Sequence, residues 1–214
     1  MAPERLTGAE RSHLHTEGWV RLEQVLSTAE VRAMNAAWDG WVGQVGPEKV
    51  GNNWGPEHLE AEEAFGPCLR QPRVADAVRE LLGEKSQFLS LHGRAPPQGH
   101  GQQGLHVDWS TPVKPGEHLL ANCFFALDDM DASNGATRVV PRSHRTGKVP
   151  RGAPAQPRGH QPGEIHLAAR AGDVLVFSSH LWHSGALNAS GARRRVVIGQ
   201  YAVPGLRMPG MAME

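Results

Sequence analysis

Gly172-Asp173-Val174-Leu175-Val176-Phe177, followed by Leu181-Trp182-His183-Ser184-Gly185, is the stretch on which the reading of this chain turns. A Gly-Asp turn feeds a short run of branched and aromatic apolar residues, the composition of a buried strand. Working outward, comparable runs bounded by Gly, Pro, Asn or Asp lie at residues 87–92, 119–127, 136–140 and 195–202. Short, evenly spaced strands with no helical pattern between them predict an antiparallel barrel or a double-sheet jelly roll.

The residues before this region carry a different period. Thr7-Gly8-Ala9-Glu10 and Ser27-Thr28-Ala29-Glu30 both match a capping box, in which a hydroxyl and a carboxylate satisfy helix-start amides reciprocally. Val31, Met34, Trp38, Trp41 and Val42 then fall on one helical face. Pro72 opens a third helix with Val74, Val78, Leu81 and Leu82 inward, and Gly83 is its stop. The expectation is one domain over residues 1–214: a helical covering region at 1–84 and a mainly β core at 85–203. Two Pro- and Gly-rich segments, 95–104 and 143–164, read as long loops, and the second is a candidate lid over a site.

Composition excludes several roles. Lys+Arg and Asp+Glu are equal at 22 each, and the pI is about 7.2, which argues against a nucleic-acid or membrane-surface partner. No stretch approaches the length of a membrane span, and no apolar h-region follows Met1. Cys68 and Cys123 are far apart among apolar neighbours and are expected as free thiols in a reducing compartment, the cytoplasm. Oligomeric state is not readable from the chain.

The chemistry lies with a few of the twelve histidines. In His106-Val107-Asp108, residues two apart on an extended segment face the same way. His183 follows 77 residues later and can arrive on another strand. Two imidazoles and one carboxylate can occupy one face of an octahedral Fe(II) and leave the opposite face open for substrate and oxygen. Arg193-Arg194-Arg195 follows the second histidine, and alternation separates Arg194 from its two neighbours. A guanidinium there stays charged and can hold a dicarboxylate cosubstrate through two parallel hydrogen bonds.

Four stretches together give a resemblance: Leu105-His106-Val107-Asp108; Asn134-Gly135-Ala136-Thr137-Arg138-Val139-Val140-Pro141-Arg142-Ser143-His144; Ala171 to Phe177; and Leu181 to Gly185 through Asn188 to Arg194. Over about residues 10 to 202 the chain resembles the phytanoyl-CoA dioxygenase family of Fe(II)/2-oxoglutarate oxygenases. The resemblance implies a double-stranded β-helix (jelly-roll, cupin-like) core with N-terminal helices outside it. It implies His106, Asp108 and His183 as iron ligands, Arg194 as the 2-oxoglutarate anchor, and hydroxylation of a small molecule with O2, releasing succinate and CO2. Related halogenating enzymes carry a small residue where this chain has Asp108. Two departures stand out: Arg142 where the family often has Gly, and Ser184-Gly185-Ala186 where it often has Gly-Ser-Gly.

Other candidates follow from position. Thr137 and Asn122 sit on strands expected to flank the metal and are candidates for contact with the cosubstrate. Trp109, Arg94, His92 and Trp54 are candidates for the substrate pocket. His144 and His180 read as structural, while His13, His15, His58, His100, His118, His160 and His166 carry no spacing argument and read as surface residues. Two further readings remain open on sequence. One is a jelly-roll metalloenzyme that does not use 2-oxoglutarate, which would not need a buried cation at Arg194. The other is a non-catalytic jelly-roll binding module, which would need neither the metal set nor the arginine.

Overall fold

The computed structural model describes residues 5–45, 55–109, 111–150 and 159–206. Among the described residues, eight strands are distributed between two antiparallel sheets that face each other without closing into a barrel: β1 (Trp19–Leu22), β2 (Gln87–Arg94), β3 (Leu120–Ala126), β4 (Thr137–Val140), β5 (Ile165–Leu167), β6 (Val174–Ser178), β7 (Trp182–Gly185) and β8 (Val196–Ala202). The larger sheet runs β1-β6-β3-β8-β2 and the smaller β5-β4-β7. This is the jelly roll that the strand spacing predicted.

The central strands of the larger sheet are buried on both faces. β3 turns Ala121, Cys123 and Phe125 outward toward the helices and Asn122, Phe124 and Ala126 inward. β6 does the same with Val174 and Val176 outward and Leu175 and Phe177 inward. This two-sided burial is why residues 174–177 are a continuous apolar run. The outer face packs on Leu14, Met34, Trp38, Val74 and Val78 of α1 (Gly8–Glu17), α2 (Thr28–Val45) and α3 (Pro72–Leu82). The inner face packs on Val139 and Leu167 of the smaller sheet.

Both capping boxes form. Glu10 N–H donates to Thr7 Oγ1 at 3.2 Å while Thr7 N–H donates to the Glu10 carboxylate at 2.8 Å. Ser27 and Glu30 repeat the exchange at 3.2 and 2.7 Å. Pro72 and Gly83 bound α3 as expected.

Two strands were not expected. β1 lies inside the region read as helical and forms the edge of the larger sheet beside β6. It has only four residues, too few to display a period, and follows the α1 stop at Gly18 directly. β5 has three residues and pairs with β4. The departure at Arg142 also has a structural answer. Its backbone adopts the left-handed conformation (φ 67°) that glycine takes easily, and its guanidinium clamps Glu17 at 2.7–3.1 Å.

Candidate metal centre

His106 and His183 stand directly opposite each other in an isolated antiparallel bridge. Each N–H donates to the other's carbonyl at 2.9 Å. Opposed residues share a face, so the two imidazoles emerge on the same side with ring centroids 4.4 Å apart. Asp108, two residues beyond His106, faces that side too, and its N–H is tied to the Ser179 carbonyl at 3.1 Å. Asp108 Oδ1 lies 3.5 Å from His183 Nε2 and 3.8 Å from His106 Nε2. The three donor atoms all fall within 4.8 Å of one another.

The second atom of each group is already committed. Nδ1 of His106 meets the Gly104 carbonyl at 2.8 Å, and Nδ1 of His183 meets the Leu181 carbonyl at 2.8 Å. A carbonyl only accepts, so Nδ1 carries the proton and Nε2 presents its lone pair toward the shared point. Asp108 Oδ2 accepts from Asn122 Nδ2 at 2.5 Å, which leaves Oδ1 for the same point. Three donors, each oriented by a partner behind it, fit a divalent metal bound on one face. Burial would raise the Asp108 pKa, but His183, the Asn122 amide and His106 outweigh it and hold the carboxyl below the usual range. Burial and neighbouring His183 push the His106 imidazole toward its neutral form.

Arg194 approaches the same cavity. It is buried, with Nη2 3.4 Å from Thr137 Oγ1 and no hydrogen-bond partner for Nε. Burial, with Arg94 nearby, lowers its pKa to about 9, so it remains a cation at neutral pH. The three arginines precede β8 rather than opening it, yet they alternate as expected. Arg193 and Arg195 both reach Asp39, at 3.2 and 3.1 Å, while Arg194 points the other way. Their backbone is fixed by Asp128, Asn134 and Asn188, which bond to Arg195 N–H and to the carbonyls of Arg193 and Ala192. The cavity encloses about 240 Å³.

A model of the phytanoyl-CoA dioxygenase (PhyH) family matches residues 14–196. The chain belongs to the phytanoyl-CoA dioxygenase family. It is therefore an Fe(II)- and 2-oxoglutarate-dependent dioxygenase that uses O2. It is 26% identical to the dioxygenase af480 of Aspergillus fumigatus, over 92% of this chain and 67% of the relative. It is 32% identical to an uncharacterized protein of Mycobacterium tuberculosis, over 88% of this chain and 72% of the relative. In fold it is similar to HygX from Streptomyces hygroscopicus, a structure solved with nickel and 2-oxoglutarate bound (TM-score 0.77, 15% identity, 95% of this chain and 90% of that one).

The other sequence candidates divide. Thr137, Asn122, His92 and Arg94 line the cavity; Trp109 does not, and Trp54 lies outside the described residues. Asn122 lies on β3 beside the metal set, as expected, with its amide bonded to Asp108 at one end and to Gln200 at the other. Residues 151–158 of the suggested lid also lie outside the described residues, and no described residue of 143–164 lines the cavity.

Strand register decides between two hydroxyls. Thr137 shares a face with Gly185, and Val139 with His183, whereas Ser184 is paired with Arg138 on the opposite face. Ser184 also lines the cavity, but Thr137 is the hydroxyl on the His183 face and the one 3.4 Å from Arg194 Nη2. Gln103, Phe124, Ile198 and Gln200 also line the cavity but were not singled out in the sequence. Alternation on 119–127 and 195–202 would have marked Phe124, Ile198 and Gln200; nothing in the sequence marks Gln103.

His118 is corrected. The sequence predicts a surface position for it, whereas the structure half-buries it, with Nδ1 2.9 Å from Ser178 Oγ and its ring stacked on His144. His180 has a structural part as expected, with Nε2 accepting from Leu119 N–H at 3.1 Å. Among the described residues, no helix is long and apolar enough to cross a membrane.

Proposed function

We propose that this dioxygenase hydroxylates a small organic molecule. His106, Asp108 and His183 would hold the iron, and Arg194 with Thr137 would hold the distal carboxylate of 2-oxoglutarate. The observation that best supports this is the meeting of three pre-oriented donor atoms with a buried guanidinium whose Nε has no partner. A buried charge without a counter-ion is costly, and a carboxylate in the cavity supplies both the charge and the missing acceptor. That guanidinium also disfavours a metalloenzyme without a dicarboxylate cosubstrate and a plain binding module.

When bound, iron and 2-oxoglutarate supply the oxidising power of O2 with release of succinate and CO2. The chain's residues do the rest. Gly104 and Leu181 carbonyls fix the imidazole tautomers, and Asn122 turns Asp108. Phe124 and Ile198 give the cavity apolar walls that limit water. The Asp108 carboxylate occupies the position that halogenating relatives leave open, which favours hydroxylation. We take the sequence as one oxygenase domain. The free, buried Cys68 and Cys123 support a cytoplasmic setting.

The test is product analysis with a metabolite pool. Succinate should form only when Fe(II), 2-oxoglutarate and O2 are all present, and the oxidised product should carry one atom of labelled O2. Succinate formation without added or retained metal, or a product lacking the label, contradicts the reading.

A further inference from the structure

We propose that Arg94 binds a carboxylate on the substrate, so that the enzyme acts on small monoanionic acids. This rests on the reading above, which places metal and 2-oxoglutarate in the cavity, and it specifies what enters beside them.

Arg94 is the last residue of β2, the edge strand of the larger sheet opposite β1. Alternation turns Leu91 outward into the helical core and Ser90, His92 and Arg94 inward. His92 and Arg94 both line the cavity. Among the described residues, no hydrogen bond or ion pair holds the Arg94 guanidinium. Nearby arginines differ: Arg195 is clamped by Asp128 and Asp39, Arg193 pairs with Asp39, and Arg138 pairs with Glu164. Asp108 attracts Arg94 across the cavity but makes no hydrogen bond or ion pair with it, because its oxygens are turned toward Asn122 and the two imidazoles.

A charge count points the same way. The iron's two positive charges match the two negative charges of 2-oxoglutarate. The lining then holds one carboxylate, Asp108, against two guanidiniums, Arg94 and Arg194. One positive charge is left over, and a substrate carrying one negative charge makes the loaded cavity neutral. A single charge favours a carboxylate over a phosphate monoester, which is close to a dianion at neutral pH. The cavity, at about 240 Å³, falls below the roughly 300–1,000 Å³ usual for larger ligands, so the acid or its reacting part is small.

The backbone under Arg94 is rigidly placed, as a specificity contact requires. β8 pairs along one edge of β2. On the other edge, Gly93 N–H donates to the Pro56 carbonyl at 2.6 Å and Gly55 N–H donates to the Gly93 carbonyl at 3.0 Å. The Trp38 ring fills the outward space at Gly93, where a Cβ would lie 2.4 Å from it. Nothing larger than glycine fits there without displacing the ring.

The test is calorimetry on the whole protein loaded anaerobically with Fe(II) and 2-oxoglutarate. The probes are acetate with acetamide, benzoate with benzamide, and inorganic phosphate. At least one carboxylate should bind tenfold or more tightly than its amide and more tightly than phosphate. Arg94→Gln should erase that preference and Arg94→Lys should keep part of it. Equal binding of acid and amide, no binding by either carboxylate, tighter phosphate binding, or a preference that survives in Arg94→Gln overturns the proposal. The acid–amide comparison needs only the wild-type protein, so it stands even if a variant folds poorly. A separate titration of 2-oxoglutarate into Fe(II)-loaded protein tests the underlying reading, which fails if the wild type does not bind. Loss of 2-oxoglutarate affinity in Arg94→Gln as large as in Arg194→Lys would make Arg94 a second cosubstrate anchor and would also overturn the proposal.

Discussion

Asn122 connects the metal centre to the sheet behind it. Its Nδ2 donates to Asp108 at 2.5 Å, its Oδ1 accepts from Gln200 at 3.2 Å, and Gln200 in turn accepts from Ser90 at 3.3 Å. These three residues lie in one row of the inner face: Asn122 is opposite Gln200 across β3 and β8, and Gln200 is opposite Ser90 across β8 and β2. Asn122→Ala releases Asp108 from its fixed orientation, and metal affinity should fall by about 10–100-fold. Calorimetric titration of Ni(II) checks this, with circular dichroism to confirm the fold; unchanged affinity would remove the orienting role. At this scale the sequence is legible where chemistry fixes residue type. His106, Asp108 and His183 stand out because a metal needs those donors, and Arg194 because alternation isolates it. Asn122 is not legible in the same way, since its partners depend on strand register.

Elements with strong local signals are legible in the sequence, and those defined by their neighbours are not. The two capping boxes and Pro72 mark helix starts by side-chain chemistry. β1 and β5 are strands only because β6 and β4 pair with them. The junction of α1 and β1 shows this dependence on context. Gly18 closes α1 with φ 88°, and a Cβ there would lie 2.3 Å from His144 Nδ1 in the turn after β4. Gly18→Ala therefore combines a left-handed alanine with a clash and should destabilise the protein by about 2–4 kcal/mol. Urea unfolding measures it; a loss below about 0.5 kcal/mol, the usual surface value, would show that the junction is looser than described.

On the scale of the whole molecule, partly buried histidines join the two sheets and give the fold a pH response. Burial, with His144 and His180 close by, lowers the His118 pKa from 6.5 to about 4. The unfolded chain then binds a proton that the folded protein refuses as pH drops from about 6.5 toward 4, so stability is lost on acidification. By about pH 5 this one ring accounts for a loss of about 2 kcal/mol. His144 and His180, also lowered by burial, act in the same direction. Unfolding at about pH 7.5 and pH 5 should show His118→Gln losing less stability than wild type; equal losses would reject the role of His118. The jelly roll was legible at this scale from strand spacing and the runs at 119–127 and 173–177, whereas the closing of the 77-residue gap between His106 and His183 depends on a bridge visible only in three dimensions. That closing is the central claim, and titrating 2-oxoglutarate into metal-free and Ni(II)-loaded protein tests it most directly. Binding should be one-to-one, dependent on the metal, lost in Asp108→Ala and weakened at least tenfold in Arg194→Lys. Equal affinity with and without metal, or affinity indifferent to both substitutions, would contradict it.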